Sequence, residues 1–190
     1  MIYIVIGCLG FLIINLLDIV SLKRVPRAKP LTWILGSGFL AYSLIMTCLA
    51  PDKLPLPLWS TWLGWALLLM SIFLLIYSLF INLPFRKTYI TTGVGGKLIT
   101  TGLYALVRHP WIHCFTLLLL SLVLVSRSSL LLIASPIWIL LDIVLVVVQD
   151  KFFFDRMFDG YAHYRKETPM LVPNRRSINT FINCLKRARA

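Results

Sequence analysis

Five apolar blocks, at 2–22, 31–50, 58–81, 111–125 and 130–148, are separated by short tracts rich in proline and basic residues. A bilayer core of about 30 Å needs about 20 helical residues to cross it. Inside lipid every backbone polar group must be paired within its own segment, so blocks of this kind fold as helices. Composition agrees: 59% of the 190 residues are hydrophobic and 14% charged, against about 45–50% and about 25% in soluble domains. The expected fold class is an all-α integral membrane protein with about five transmembrane helices. The last two form a helical hairpin, and a cytosolic C-terminal helical segment follows.

Breakers set the boundaries. The tract 23–30 holds two prolines and four basic residues, and the loop 51–57 holds three prolines; neither continues a buried helix. The fourth block has only 15 residues, about 22 Å at about 1.5 Å each. It must therefore thin the bilayer, let Arg127 snorkel, or extend backwards through Pro110. The N-terminus lacks a basic leader and a small-residue cleavage site, so it reads as a membrane helix rather than a signal peptide. The chain divides into three N-terminal membrane helices (1–83), a core of loop, hairpin and C-terminal motif (84–174), and a basic amphipathic tail (175–190).

The net charge of +12 does not imply nucleic acid, because the basic residues sit between apolar blocks rather than along a stripe. With the N-terminus outside, seventeen basic residues fall in inner segments and two, Lys53 and Arg127, in outer loops. The positive-inside rule then puts the C-terminus in the cytosol, of a bacterial inner membrane or the endoplasmic reticulum. Trp33, Trp59 and Trp111 near block ends suit the membrane interface. The four cysteines are scattered without metal-ligand spacing, so neither disulfides nor a metal site is expected. The expected partners are membrane lipids.

Two acidic residues lie within membrane blocks. Asp18, a turn from the basic tract, is expected to snorkel towards it. Asp142 is deeper, and is either a protonated or hydrogen-bonded helix contact or part of a polar path. In the tail, Ser177 is a plausible N-cap, and Ile178, Phe181, Ile182 and Leu185 recur at helical spacing with Lys186, Arg187 and Arg189 beyond. This pattern reads as an amphipathic helix on the anionic inner leaflet or as a frayed basic tail.

Two unusual stretches share the inner face. In the first, 101–110, Pro110 suits the first turn of a helix, which places Arg108 and His109 beside unpaired N–H groups and the positive dipole end. That arrangement is an anion receptor or a positively charged anchor. The second, 149–166, carries Phe154, Met157, Phe158 and Tyr161 at helical spacing. It is an aromatic stripe on the membrane surface, or, with Asp150 at its mouth, a site for a cationic, ring-bearing ligand. The glycines in 92–97 do not have phosphate-loop spacing and follow no strand.

Together the stretches resemble the isoprenylcysteine carboxyl methyltransferase and phospholipid methyltransferase superfamily. Its members carry G-x-Y-x-x-x-R-H-P-x-Y-x-G, then an acidic pair, an F-G-x-x-Y-x-x-Y segment and a closing pair of prolines. Gly102, Tyr104, Arg108, His109 and Pro110 match the first motif; Asp150, Tyr161, Tyr164, Pro169 and Pro173 match the second. The resemblance covers roughly 89–174. It implies S-adenosylmethionine-dependent methyl transfer to a lipid or other lipophilic acceptor at the cytosolic membrane face. The implied cofactor-binding residues are Gly96, Lys97, Leu98, Ile99, Tyr104, Arg108, His109, Pro110, Trp111, Ile112, Gln149 and Asp150, with His109 and Asp150 central to catalysis. Arg108 and His109 suit the methionine carboxylate, and Asp150 the ribose hydroxyls. No metal is needed for an in-line transfer in which the site aligns donor and acceptor.

The chain departs from the pattern at Ile112 (usually Tyr), Cys114 (usually Gly), Gln149 and the pair Met157-Phe158. The prenylcysteine branch would place an arginine where Leu145 and Val146 stand, which argues against a prenylcysteine carboxylate as substrate. Two other classes stay open: an NAD(P)H-dependent membrane lipid or sterol-type reductase, and a non-catalytic scaffold or lipid-binding relative.

Overall fold

The computed structural model describes residues 1–25, 27–83, 86–91 and 98–187, without the side chains of 87, 88 and 187. These residues are overwhelmingly helical, and the isolated bridge Lys53–Ser128 is their one β-type pairing. The helices are α1 (Ile2–Lys23), α2 (Ala28–Cys48), α3 (Leu58–Ile76), α4 (Leu103–Leu106), α5 (Pro110–Ser126), α6 (Ser129–Val148), α7 (Phe154–Met157), α8 (Tyr161–Glu167) and α9 (Arg175–Arg187). A π-helical turn, Tyr77–Ile81, prolongs α3, and another, Gln149–Phe153, joins α6 to α7.

Four helices are long and apolar enough to cross a membrane: Ile2–Lys23, Ala28–Cys48, Leu58–Ile81 and Ser129–Met157. The fifth apolar helix, α5, has 17 residues. It begins at Pro110, in line with one of the three ways in which the short block could be accommodated. At the far end of the bundle its hairpin with α6 is clipped to the loop after α2. Ser128 Oγ donates to Thr47 O at 2.6 Å, Leu54 N to Arg127 O at 2.6 Å, and Ser129 N to Asp52 O at 3.1 Å. Ser128 also caps α6 by accepting from Leu131 N.

The N-terminal helices are not a unit apart from the core. Trp138 of α6 is 1% exposed and its indole donates to Ile4 O of α1 at 3.1 Å. Phe11, Phe115, Leu119 and Leu131 join α1, α5 and α6 around it. The α1–α2 pair approaches through glycines. A Cβ built on Gly36 would lie 2.5 Å from Ile14 Cγ1, 2.9 Å from Ile14 N and 3.0 Å from Gly10 O. Small residues at such crossings let backbones touch, which is the main source of helix association in lipid.

At the other end, α9 starts at Arg175 rather than after Ser177. Asn174 is its cap, Oδ1 accepting from Ser177 N at 2.8 Å, and Ser177 is buried in the first turn. The helix packs against α4, so it is not a frayed tail; Arg189 lies outside the described residues. Ile178, Ile182 and Leu185 remain exposed beside that contact.

Gly36→Leu should separate α1 from α2. Overpacking of this kind costs about 1–3 kcal/mol, and thermal unfolding in detergent should show a lower midpoint, whereas Gly38→Leu, where a Cβ meets nothing within 4 Å, should leave it unchanged.

Candidate functional site

The segment before α5 and the chain after α6 meet at one place. Arg108 N donates to Pro169 O at 3.0 Å and His109 N to Met170 O at 3.3 Å, so the chain around Pro169 pairs with the R-H-P segment. Tyr164 Oη donates to Tyr104 O at 2.5 Å. Gly102 makes the turn into α4 with φ +61°, its Cα packed against the Asn82 amide. That backbone angle and the absent Cβ both favour glycine here.

The π-helical turn carries Asp150 into this junction. Asp150 is 5% exposed, and its carboxylate gathers three partners. Arg108 Nη2 lies 3.2 Å from Oδ2; Tyr161 Oη donates to Oδ1; His109 Nε2 makes a long 3.5 Å contact with Oδ1. Arg108 is 8% exposed, and its Nε and Nη1 have no hydrogen-bond partner among the described residues. Its guanidinium stands 5.9 Å from the Tyr161 ring centroid. Extra backbone in a π turn recurs at functional sites because it re-aims side chains out of α-helical register.

Beside this cluster lies a cavity of about 490 Å³, within the usual range of about 300–1,000 Å³ for small-molecule sites. Leu98, Ile99, Tyr104, Arg108, His109, Pro110, Trp111 and Gln149 line it. Two described site residues predicted from sequence do not. Ile112 is buried and borders a separate cleft with Leu171 and Ile143. Asp150 is not on the wall either; its oxygens serve Arg108, Tyr161 and His109, so it holds the site's side chains rather than standing open to ribose hydroxyls. Gly96 and Lys97 lie outside the described residues.

The aromatic stretch is not one continuous stripe. The helix breaks at 158–160, with Gly160 at φ +81°, and the chain folds back. Phe154, Met157, Phe158, Tyr161 and Tyr164 still reach the cavity wall. Phe154 stacks on His109 with centroids 5.6 Å apart and meets Tyr161 edge-on at 5.4 Å.

Sequence reasoning missed the part that α1 and α2 play. Asn15, Asp18 and Ser21 of α1, and Lys29, Trp33 and Ser37 of α2, all line the cavity. Asp18 does not snorkel: it is 9% exposed, and Gln149 Nε2 donates to its Oδ2 at 2.7 Å. Lys29 is buried and donates to Thr91 O at 3.2 Å. Trp33 and Trp111 line the cavity, whereas Trp59 is exposed. The available signal was the polar spacing Asn15-Asp18-Ser21, one helical face at i, i+3, i+6 within an apolar block.

Burial sets the protonation of the site. Desolvation pushes the His109 imidazole below its ordinary value, more strongly than the Asp150 carboxylate beside it pulls it up. Burial, then the Asp150 hydrogen bond, keep the Tyr161 phenol protonated as a donor. Tyr104 is pushed up to about 12 by burial. Comparison with protein-family models, curated proteins and solved structures finds no match. The site must therefore be read from its own chemistry.

Two outcomes follow from this geometry. Because His109 is neutral when folded but takes up a proton near 6.5 when unfolded, its contribution is complete above that pH and is lost as the pH falls through its lower folded value. Melting temperatures between pH 7.5 and pH 5 should fall less steeply for His109→Gln than for the parent. Asp150→Asn should cost about 3–5 kcal/mol by leaving Arg108 charged and unpaired in a buried setting, seen as a large drop in the unfolding midpoint; Asp155→Asn, at the exposed pair with Arg165, should cost under about 1 kcal/mol.

Proposed function

We propose that this protein is an integral membrane methyltransferase that moves a methyl group from S-adenosylmethionine to a lipophilic acceptor entering from the bilayer. The observation that carries this reading is Arg108: buried, beside the cavity, its charge fixed by Asp150, with two guanidinium nitrogens unsatisfied. Such a group is a ready receptor for a carboxylate. Around it the cavity combines aromatic faces, which suit adenine and a sulfonium, with a wall that is otherwise largely apolar.

The residues fit the donor. Arg108 would take the methionine carboxylate, with Tyr161 and Asp150 holding the guanidinium in place. Phe154, Phe158 and Trp33 offer ring faces for adenine, and Asn15 and Gln149 offer amides for its polar edges or the ribose. When bound, the donor supplies an electrophilic methyl carbon on a positively charged sulfur. The protein contributes alignment of that carbon with the acceptor and exclusion of water; neutral His109 keeps a second positive charge away from the sulfonium.

Five membrane helices, including short α5, with the N-terminus outside and the C-terminus in the cytosol, fit the distribution of basic residues. Lys53 and Arg127 lie together at the hairpin-tip end, and the R-H-P segment and α8–α9 lie at the other. The cavity then opens where a soluble donor and a membrane-dissolved acceptor can both reach it. A reductase reading is disfavoured by the wall. Its cationic side chains among the described residues are Arg108 and Lys29, and Lys29 already faces Thr91 O and Asp18, leaving little to meet a dinucleotide's phosphates.

Purified protein in lipid nanodiscs should be stabilised against heat by S-adenosylmethionine and S-adenosylhomocysteine but not by NADPH. Arg108→Lys keeps the charge and loses the planar fork, and should weaken S-adenosylhomocysteine binding roughly tenfold, the scale of one charge-assisted hydrogen bond. Stabilisation by NADPH alone would overturn the reading in favour of a reductase; silence towards all three would favour a scaffold.

A further inference from the structure

Besides Arg108, a second buried ionisable residue on the cavity wall has an unsatisfied side-chain atom. Asp142 of α6 is 4% exposed, and its Oδ2 makes no hydrogen bond to any described residue. The Trp111 indole lies beside the carboxyl. Asp142 lies eight residues before Asp150, about 12 Å deeper along α6 at about 1.5 Å per residue. Between these two poles the wall is largely apolar, from Phe11 and Leu17 of α1 to Val146 of α6. Ionisable groups at membrane depth are costly and are kept where they meet a ligand, an ion or another polar group. Asp18, the other acid on this wall, already has Gln149; Asp142 Oδ2 has nothing.

We propose that Asp142 is the polar anchor of the acceptor subsite, and that the acceptor is a lipophilic alcohol or phenol. This rests on the donor reading above and deepens it. A hydroxyl donates to Oδ2 and stays uncharged while it does so. A carboxylate acceptor would set two negative charges together in an apolar pocket, at a steep cost. An ammonium would pair with Asp142 as a cation whose nitrogen has no free lone pair for attack.

The transfer balances at this residue. The acceptor oxygen forms its bond to the methyl carbon as the carbon–sulfur bond breaks. The hydroxyl proton passes to Asp142 Oδ2, and the sulfur keeps the electron pair of the broken bond. A sulfonium and a carboxylate become a thioether and a carboxylic acid, so opposite charges are annihilated in a poorly solvated cavity. Low polarity favours that change.

The test uses full-length protein in lipid nanodiscs, with para-dodecylphenol, dodecanoate and dodecylammonium as probes. Infrared difference spectra should show the phenol perturbing a carboxyl band that is missing in Asp142→Asn. The phenol should bind about tenfold more weakly to that variant, the scale of one hydrogen bond to a charged group, while S-adenosylhomocysteine affinity stays unchanged. An unmoved carboxyl band on phenol binding would overturn the subsite, and this is read on the parent protein even if the variant does not fold. Dodecanoate or dodecylammonium binding as tightly as the phenol would overturn the acceptor class. Failure of S-adenosylhomocysteine to bind the parent would instead sink the donor reading, which the phenol spectra, recorded without donor, do not depend on.

Discussion

The pairing of Arg108 with Asp150 joins two segments that are forty-two positions apart in sequence, and the arrangement of the site follows from it. Both partners are almost fully buried, at 8% and 5% exposure. An isolated charge of either sign would be intolerable there, so each fixes the other's place. The Tyr161 hydroxyl and the His109 ring close on the same carboxylate, and α8 is thereby held under the start of α5. Backbone bonds from Arg108 and His109 to Pro169 and Met170 repeat the attachment. The cavity lies between this junction and helices α1 and α2.

Local backbone geometry serves the same end. An uninterrupted α-helix from α6 would carry residues 149–157 straight out of the bundle. The π turn at Gln149–Phe153 and the break at Gly160 bring the chain back across the cavity instead. Gly102 does the corresponding work on the other segment. The cost of these irregular turns is met by hydrogen bonds to the opposite segment, so neither stretch would hold its shape alone.

A division of labour between the two ends of the bundle is visible in what each hydrogen-bonds. The hairpin tip is stitched to the loop after α2 by short bonds through Ser128, Asp52 and Leu54, and its buried serines satisfy carbonyls of their own or neighbouring helices. Among the described residues no buried side-chain atom is left over there. At the site end, Arg108 and Asp142 line the cavity and each keeps an unsatisfied atom. In apolar surroundings an unpaired polar atom is expensive, and each one calls for an explanation, of which a bound ligand is one.

The all-helical character, the positions of the apolar helices, the α5–α6 hairpin and the break at each proline-rich tract were legible in the sequence, because lipid-length apolar runs admit few conformations. The gathering of Tyr104, Arg108, His109 and Pro110 near the 149–166 stretch was legible through the paired motifs. Other features needed the tertiary structure. Asp18 looked like a snorkelling acid until Gln149, 131 positions away, proved to be its partner. Ile112 stands at a motif position yet borders a cleft separate from the cavity, and the Asp150 oxygens meet Arg108, Tyr161 and His109. Hydropathy reports how deep a residue prefers to lie, a property of its own segment. Which face it turns, and what it meets there, depends on how the helices rotate and cross, and only close contact between distant segments such as Gly10 against Gly36 decides that.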